Sequence, residues 1–297
     1  MVTIVAVVTA TTTIVTTETT TTIVTLQQLQ HQPIGVFDSG IGGLSVANAI
    51  SGLLPRESLL YIADNAYAPY GPRPEAEILA RSRVITRHLL NQGVKMIVIA
   101  CNTATSVAIG PLREEYPEVL FVGLEPALKQ AAKARRVGVI ATATTLRSPR
   151  YLALRERYMA NRPVREDACV GLVPLIEAEV PGSPLLTNKL KTILEPMLAD
   201  KVDALVLGCS HYAMIQEDIA AVCGPGVEII DPSSAAARQV ERLLSKHSLL
   251  FPNSPSTCVP VHNFYTTGTS VPLQRSLLRP HRLNQNRKLV IPQHILA

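Results

Sequence analysis

Short apolar runs separated by longer amphipathic stretches constrain this chain more than any other feature. From Pro33 onward, runs at 34–37, 59–63, 95–100, 120–123, 137–140, 204–207 and 227–230 are four to six residues long and rich in Val, Ile and Leu. Runs of that length suit parallel strands buried on both faces. Helical patterns fill the intervals. Between Pro74 and Gln92 there is a proline near the start and Glu75 and Glu77 in the first turn. Ile78, Ile85 and Leu89 share one face, and Gly93 follows the end. Strand and helix alternating in this way predict an α/β fold, doubly wound, with helices on both faces of mostly parallel sheets.

The pattern also repeats. Gly35-Val-Phe-Asp-Ser-Gly opens a strand–turn–helix, and Gly138-Val-Ile-Ala-Thr-Ala opens another 103 residues later, each reaching a serine at the same offset, Ser45 and Ser148. Lys95-Met-Ile-Val-Ile-Ala-Cys101-Asn-Thr matches Asp203-Ala-Leu-Val-Leu-Gly-Cys209-Ser-His at a spacing of 108. Two matches at nearly equal offsets predict two similar lobes, 33–125 and 126–231, with the site between them. Residues 232–297 then return to the first lobe and end in a basic tail.

Composition narrows the function classes. Of the 297 residues 47% are hydrophobic and 17% charged, enough apolar material for a sizeable core. Trp is absent and Phe numbers four, which argues against a stacking surface for single-stranded nucleic acid. The net charge of +5 sits wholly in residues 250–297, where Arg275, Arg279, Arg282, Arg287 and Lys288 have no acidic counterpart. This reads as a solvated tail, with no nucleic-acid partner. Five scattered cysteines without C-x-x-C spacing exclude a disulfide scaffold and point to a reducing, cytoplasmic compartment. No apolar run is long enough to span a membrane. Twelve of the first 25 residues are Thr, and no Lys or Arg precedes Arg56, so a secretory or transit signal fits poorly. Residues 1–32 are expected to be a disordered or weakly β-prone extension outside the fold.

The chemistry gathers at strand ends. Cys101 and Cys209 each follow an apolar run at the start of an expected helix, where doubly wound sheets bind ligands and where a helix N-terminus lowers a thiol's pKa. Cys169, Cys223 and Cys258 lack such surroundings and read as small buried hydrophobes. Two thiols facing across a cleft suit inversion of a carbon centre, one base taking a proton from one face and the other returning one. Such a pair needs no cofactor and no metal. Thr103 and Ser210 are placed to cap helices or to bind a carboxylate. His211 could hold or pass a proton. Gly40-x-Gly42-x-x-Ser45 nearly fits a dinucleotide fingerprint, but its third glycine is missing and Asp38 would repel a pyrophosphate. Asp38 suits a substrate ammonium group or the tuning of a nearby thiol instead. Tyr70-Gly71 forms a tight turn at the same edge. Thr142, Thr144 and Thr145 offer hydroxyls from the second lobe, and Glu177 is a possible further acid.

Asp38-Ser-Gly-Ile-Gly-Gly, Ala68-Pro-Tyr-Gly71, Ala100-Cys-Asn-Thr-Ala104 and Gly208-Cys-Ser-His-Tyr212, in that order, resemble the glutamate racemases of the aspartate/glutamate racemase superfamily. The resemblance runs from Pro33 to about Gly268. It implies cofactor-independent interconversion of L- and D-glutamate, with D-glutamate supplied to peptidoglycan. It also implies a two-lobed α/β fold, a homodimer and no membrane partner. It gives Cys101 the deprotonation of the D enantiomer and Cys209 that of the L enantiomer. Asp38, Ser39, Tyr70, Gly71, Asn102, Thr103, Thr144, Ser210 and His211 become substrate-binding residues. Asp38, Glu177 and His211 become auxiliary acid/base groups. Ser210 stands where Thr is usual, and Ala213 where Pro is common. Aspartate as substrate, a non-catalytic binding protein, a nicotinamide enzyme and a Cys/His metal site are the competing readings.

Overall fold

Buried β-branched strands assemble into two separate parallel sheets. The computed structural model describes residues 4–6, 12–17, 20–252, 260–277 and 288–290, with side chains from 25 to 252 and 260 to 277. Cys258, Arg279, Arg282 and Arg287 lie outside the described residues. The first sheet has six strands in the order Lys288–Val290, Val261–Thr266, Leu59–Ala63, Ile34–Asp38, Met96–Ile99, Phe121–Gly123, all parallel. The second has four, Glu228–Ile230, Ala204–Gly208, Val137–Ala141, Val164–Asp167, also all parallel.

The internal likeness read from the sequence is a likeness of topology. In the first sheet Ile34–Asp38 lies between Leu59–Ala63 and Met96–Ile99. In the second Val137–Ala141 lies between Val164–Asp167 and Ala204–Gly208. Each lobe therefore winds outward first to one side of its opening strand and then to the other. That creates a crevice at the strand's carboxyl end, where open α/β sheets hold ligands. Cys101 follows Met96–Ile99 and Cys209 follows Ala204–Gly208, so the two thiols occupy equivalent places.

Helices cover both faces of each sheet. In the first lobe Leu44–Leu53 packs with Ser233–Lys246 on one face, burying Val46, Ile50, Val240 and Leu244. Glu75–Asn91 and Asn102–Glu115 cover the other with Ile78, Ile85, Ala108 and Leu112. In the second, Leu172–Ala178, Pro184–Ala199 and Gln216–Cys223 lie over one face. Leu128–Ala131 and Pro149–Met159 lie over the other. None of the described helices is long and apolar enough to cross a membrane.

Several elements depart from the sequence reading. Val164–Asp167 has no apolar run because it is an edge strand with half-buried side chains. Val261–Thr266 alternates buried and half-buried residues where it completes the first sheet. The Thr-rich start carries the antiparallel strands Ile4–Ala6, Thr12–Thr17 and Thr20–Thr25, which among the described residues pair only with one another. The helix Leu26–His31, expected outside the fold, docks on the first lobe. Leu29 is buried in its core, the Lys95 ammonium donates to the Gln30 carbonyl, and the Gln30 amide donates to the Ser248 carbonyl.

Candidate active site

Asp38 ends the opening strand of the first lobe and is fully buried. The Gly40 amide donates to its Oδ2 at 2.9 Å, and the Ser210 hydroxyl of the second lobe donates to its Oδ1 at 3.0 Å. Burial pushes this carboxyl above its ordinary 3.8, against the positive charge of His211 and the hydrogen bonds from Gly40 and Ser210. Asp38 is thus a junction. Ser39 beside it lies 3.8 Å from Cys101 Sγ, and Ser210 follows Cys209 directly. The two thiols flank one carboxylate from opposite lobes.

Cys101 is itself the N-cap of Asn102–Glu115, its sulfur accepting from the Ala104 amide at 3.4 Å. The sequence reading expected the helix start to lower this thiol's pKa. Burial, reinforced by the negative charge of Asp38, raises it instead and outweighs the Ala104 and Ser39 hydrogen bonds. Cys101 therefore stands as a protonated thiol, ready to give a proton. Capping by Thr103 and Ser210 is also corrected. The Thr103 hydroxyl meets the Thr142 hydroxyl across the lobes at 2.9 Å, and Ser210 serves Asp38. After Cys209 the chain forms a 3-10 turn, Ser210–Ile215, with no side-chain cap.

His211 and Glu177 come together. His211 is buried, and its Nε2 lies 2.9 Å from Glu177 Oε1 on Leu172–Ala178. Burial alone would depress this imidazole. Hydrogen bonds with Cys209 and Glu177, and the negative charges of Cys209 and Asp38, hold its pKa well above 6.5. Gly42 is required beside it, because a Cβ there would stand 2.6 Å from both the His211 backbone nitrogen and its Nδ1.

The remaining candidates line the same crevice. Thr144 Oγ1 donates to the Gly71 carbonyl at 2.8 Å, tying the second lobe to the Tyr70-Gly71 turn, and Thr142 caps its own short helix. Asn102 Nδ2 donates to the Leu124 carbonyl at 3.2 Å, while its buried Oδ1 has no partner among the described residues. The Tyr70 hydroxyl donates to Asp64 Oδ2 at 2.5 Å. Asp64 also takes both guanidinium contacts of Arg81, at 3.0 and 2.9 Å, and the Thr267 hydroxyl at 2.7 Å. Sequence reasoning missed Arg81, Thr267 and Tyr61. The Tyr61 hydroxyl donates to the Gly40 carbonyl at 2.8 Å beneath the glycine loop. A phenol inside an otherwise apolar strand was the available signal. Among the described residues no group of three or more His, Cys, Asp and Glu could hold a metal ion.

Residues 43–240 match the family model for Asp/Glu/Hydantoin racemase. A glutamate racemase of Ectopseudomonas mendocina is 47% identical over 221 residues, 73% of this chain and 84% of that protein. One of Pseudomonas aeruginosa is 43% identical over 247 residues, 82% and 92%. Among solved structures, a glutamate racemase isoform of Bacillus anthracis superposes with a TM-score of 0.79 at 30% identity, covering 90% of this chain and 98% of that one. The glutamate racemase of Francisella tularensis in complex with D-glutamate gives 0.77 at 30% identity over the same shares.

Proposed function

The chain belongs to the Asp/Glu/Hydantoin racemase family, and from that premise we propose that it racemises glutamate through two thiols without a cofactor. One observation carries the reading. Cys101 and Cys209 follow equivalent strands of two like sheets, and their neighbours meet at the buried Asp38: Ser39, beside the Cys101 sulfur, follows it in the chain, and Ser210, next to Cys209, donates to it. An amino acid whose ammonium group pairs with Asp38 presents its α-carbon between the sulfurs.

In the L to D direction Cys209 takes the α-proton from one face. Cys101, protonated at rest, returns one to the other. The deprotonated substrate carries its charge into its α-carboxylate. The Thr103 hydroxyl and the second N–H of the Asn102 carboxamide, whose first is given to the Leu124 carbonyl, are donors suited to that carboxylate. The His211 imidazolium, held by Glu177, supplies a cation beside the Cys209 sulfur. Thr144 and the Gly71 backbone line the end where a side-chain carboxylate extends. In the reverse direction the thiols exchange roles. The crevice between two buried strand edges keeps water from the carbanionic centre.

Glutamate is favoured over aspartate by the two pseudomonad relatives, 47% and 43% identical, both of which are glutamate racemases. D-glutamate made this way serves peptidoglycan synthesis in the cytoplasm, and the working form is a homodimer. The test of mechanism is racemisation of L-glutamate in D2O with no added cofactor and with chelator present. Newly formed D-glutamate should carry deuterium at the α-carbon while unreacted L-glutamate retains hydrogen early in the reaction. D-glutamate that keeps its original hydrogen would refute two bases on two faces.

A further inference from the structure

Directly after the strand Leu59–Ala63 and Asp64, the chain makes a 3-10 turn, Asn65–Tyr67. That strand pairs with Ile34–Asp38, so Asn65 stands at the same carboxyl edge as Asp38 and Cys101. Neither polar atom of its carboxamide reaches solvent, and neither has a hydrogen-bond partner among the described residues. A shut-in carboxamide carries its full desolvation cost with nothing in return. Its neighbours are not loosely arranged: Asp64 takes four hydrogen bonds, from Tyr70, Arg81 and Thr267. An unpaired amide in such company asks for a role.

Its direction supplies one. A side chain on Gly40 would meet Glu177 Oε1 at 2.7 Å, Asn65 Oδ1 at 3.2 Å and His211 Nε2 at 3.4 Å. Three polar atoms from three segments thus surround one spot that only glycine leaves empty. Gly268 closes the far side, where a Cβ would stand 3.1 Å from that of Asn65. Glu177 Oε1 contacts His211 and has lone pairs to spare. A half-turn about χ2 exchanges Oδ1 for Nδ2 without backbone movement and turns a donor toward that carboxylate.

We propose that Asn65 is a positioning residue whose carboxamide donates to Glu177 and holds it on His211. The proposal rests on the two-thiol reading above. A neutral amide suits the task because it steadies the carboxylate without competing for the imidazolium's charge, as a lysine there would. The residue serves the Cys209 half of the reaction. Cys101 is held separately, by Ser39 and the Ala104 amide.

The test uses Asn65→Leu, Asn65→Thr and Asn65→Asp, with kcat, KM and primary isotope effects on 2-deuterated L- and D-glutamate. Enantiomers are equal in energy, so kcat/KM falls equally in both directions, by about tenfold in Asn65→Leu for one lost hydrogen bond to a charged group. The isotope effect should become lopsided, rising on L-glutamate, whose bond Cys209 breaks, and falling on D-glutamate. Asn65→Thr, which restores a donor, should recover most of the rate. If Asn65→Leu does not fold, Asn65→Asp decides: a second carboxylate facing Glu177 should move the pH limb of the His211–Glu177 pair upward. A loss confined to KM, isotope effects that stay symmetrical, or an unmoved pH limb would overturn the proposal. Glu177→Gln separates the two failures. Symmetrical isotope effects in that variant sink the service of His211 and Glu177 to Cys209 itself, whereas lopsided ones there with symmetrical ones in Asn65→Leu sink only the role of Asn65.

Discussion

Asp38 accepts hydrogen bonds from both lobes, so residue-scale changes around it should separate roles. Replacing Cys101 or Cys209 by Ala should abolish racemisation, measured as loss of optical activity, while melting temperature stays close to that of the parent. His211 offers a stability prediction whose sign follows from its pKa. The folded value stands above the ordinary 6.5, so the folded chain binds an extra proton between the two values. The stability this contributes is whole below 6.5 and is lost as pH rises through the folded value. Thermal melts should show the melting temperature falling as pH rises from 6.5 through the folded value, and His211→Gln should flatten the slope. An unchanged slope in the variant would place the titration elsewhere. The motif residues were legible because each thiol stands between a strand end and polar neighbours. The pKa of Cys101 was not, because burial is set by the whole fold and overrides the helix start that sequence displays.

At the scale of elements, the glycine loop and the Asp64 anchor decide the geometry. A methyl group at Gly42 has no room beside His211, so Gly42→Ala should lower kcat/KM by about a hundredfold through a shift of the loop. Steady-state kinetics of the folded variant check this. Asp64 is fully buried, and Arg81 is its cationic partner. Arg81→Met strands that carboxylate and should cost about 3 kcal/mol in denaturant unfolding. Near-parent stability would show that the Tyr70 and Thr267 hydroxyls alone satisfy it. Central strands such as Ile34–Asp38 and Leu59–Ala63 were readable to within a residue because both faces are buried. Val164–Asp167 was not, since an edge strand needs no apolar run. Nor was the helix Leu26–His31, whose single buried Leu29 gives no periodic signal.

For the whole molecule, a four-strand order shared by the second sheet and part of the first explains how one chain places Cys101 and Cys209 after equivalent strands. The repeat offsets of 103 and 108 residues already carried that plan in outline, because duplicated strand–turn–helix units leave matching apolar runs. The return of Val261–Thr266 to the first sheet shows only as alternation of half-buried positions. Among the described residues the strands up to Thr25 pair only with one another. Removing residues 1–24 should therefore leave kcat/KM within about twofold, whereas removal through residue 31 should also lower stability, since it takes Leu29 from the core and the Gln30 carbonyl from Lys95. Melting curves and kinetics of the two truncations distinguish these outcomes. Circular dichroism of L-glutamate with enzyme and no cofactor asks whether two opposed thiols interconvert the enantiomers without one. The signal should decay to zero with the parent protein and stay flat with Cys101→Ala. A flat trace with the parent, or undiminished decay with the variant, would contradict the two-thiol reading.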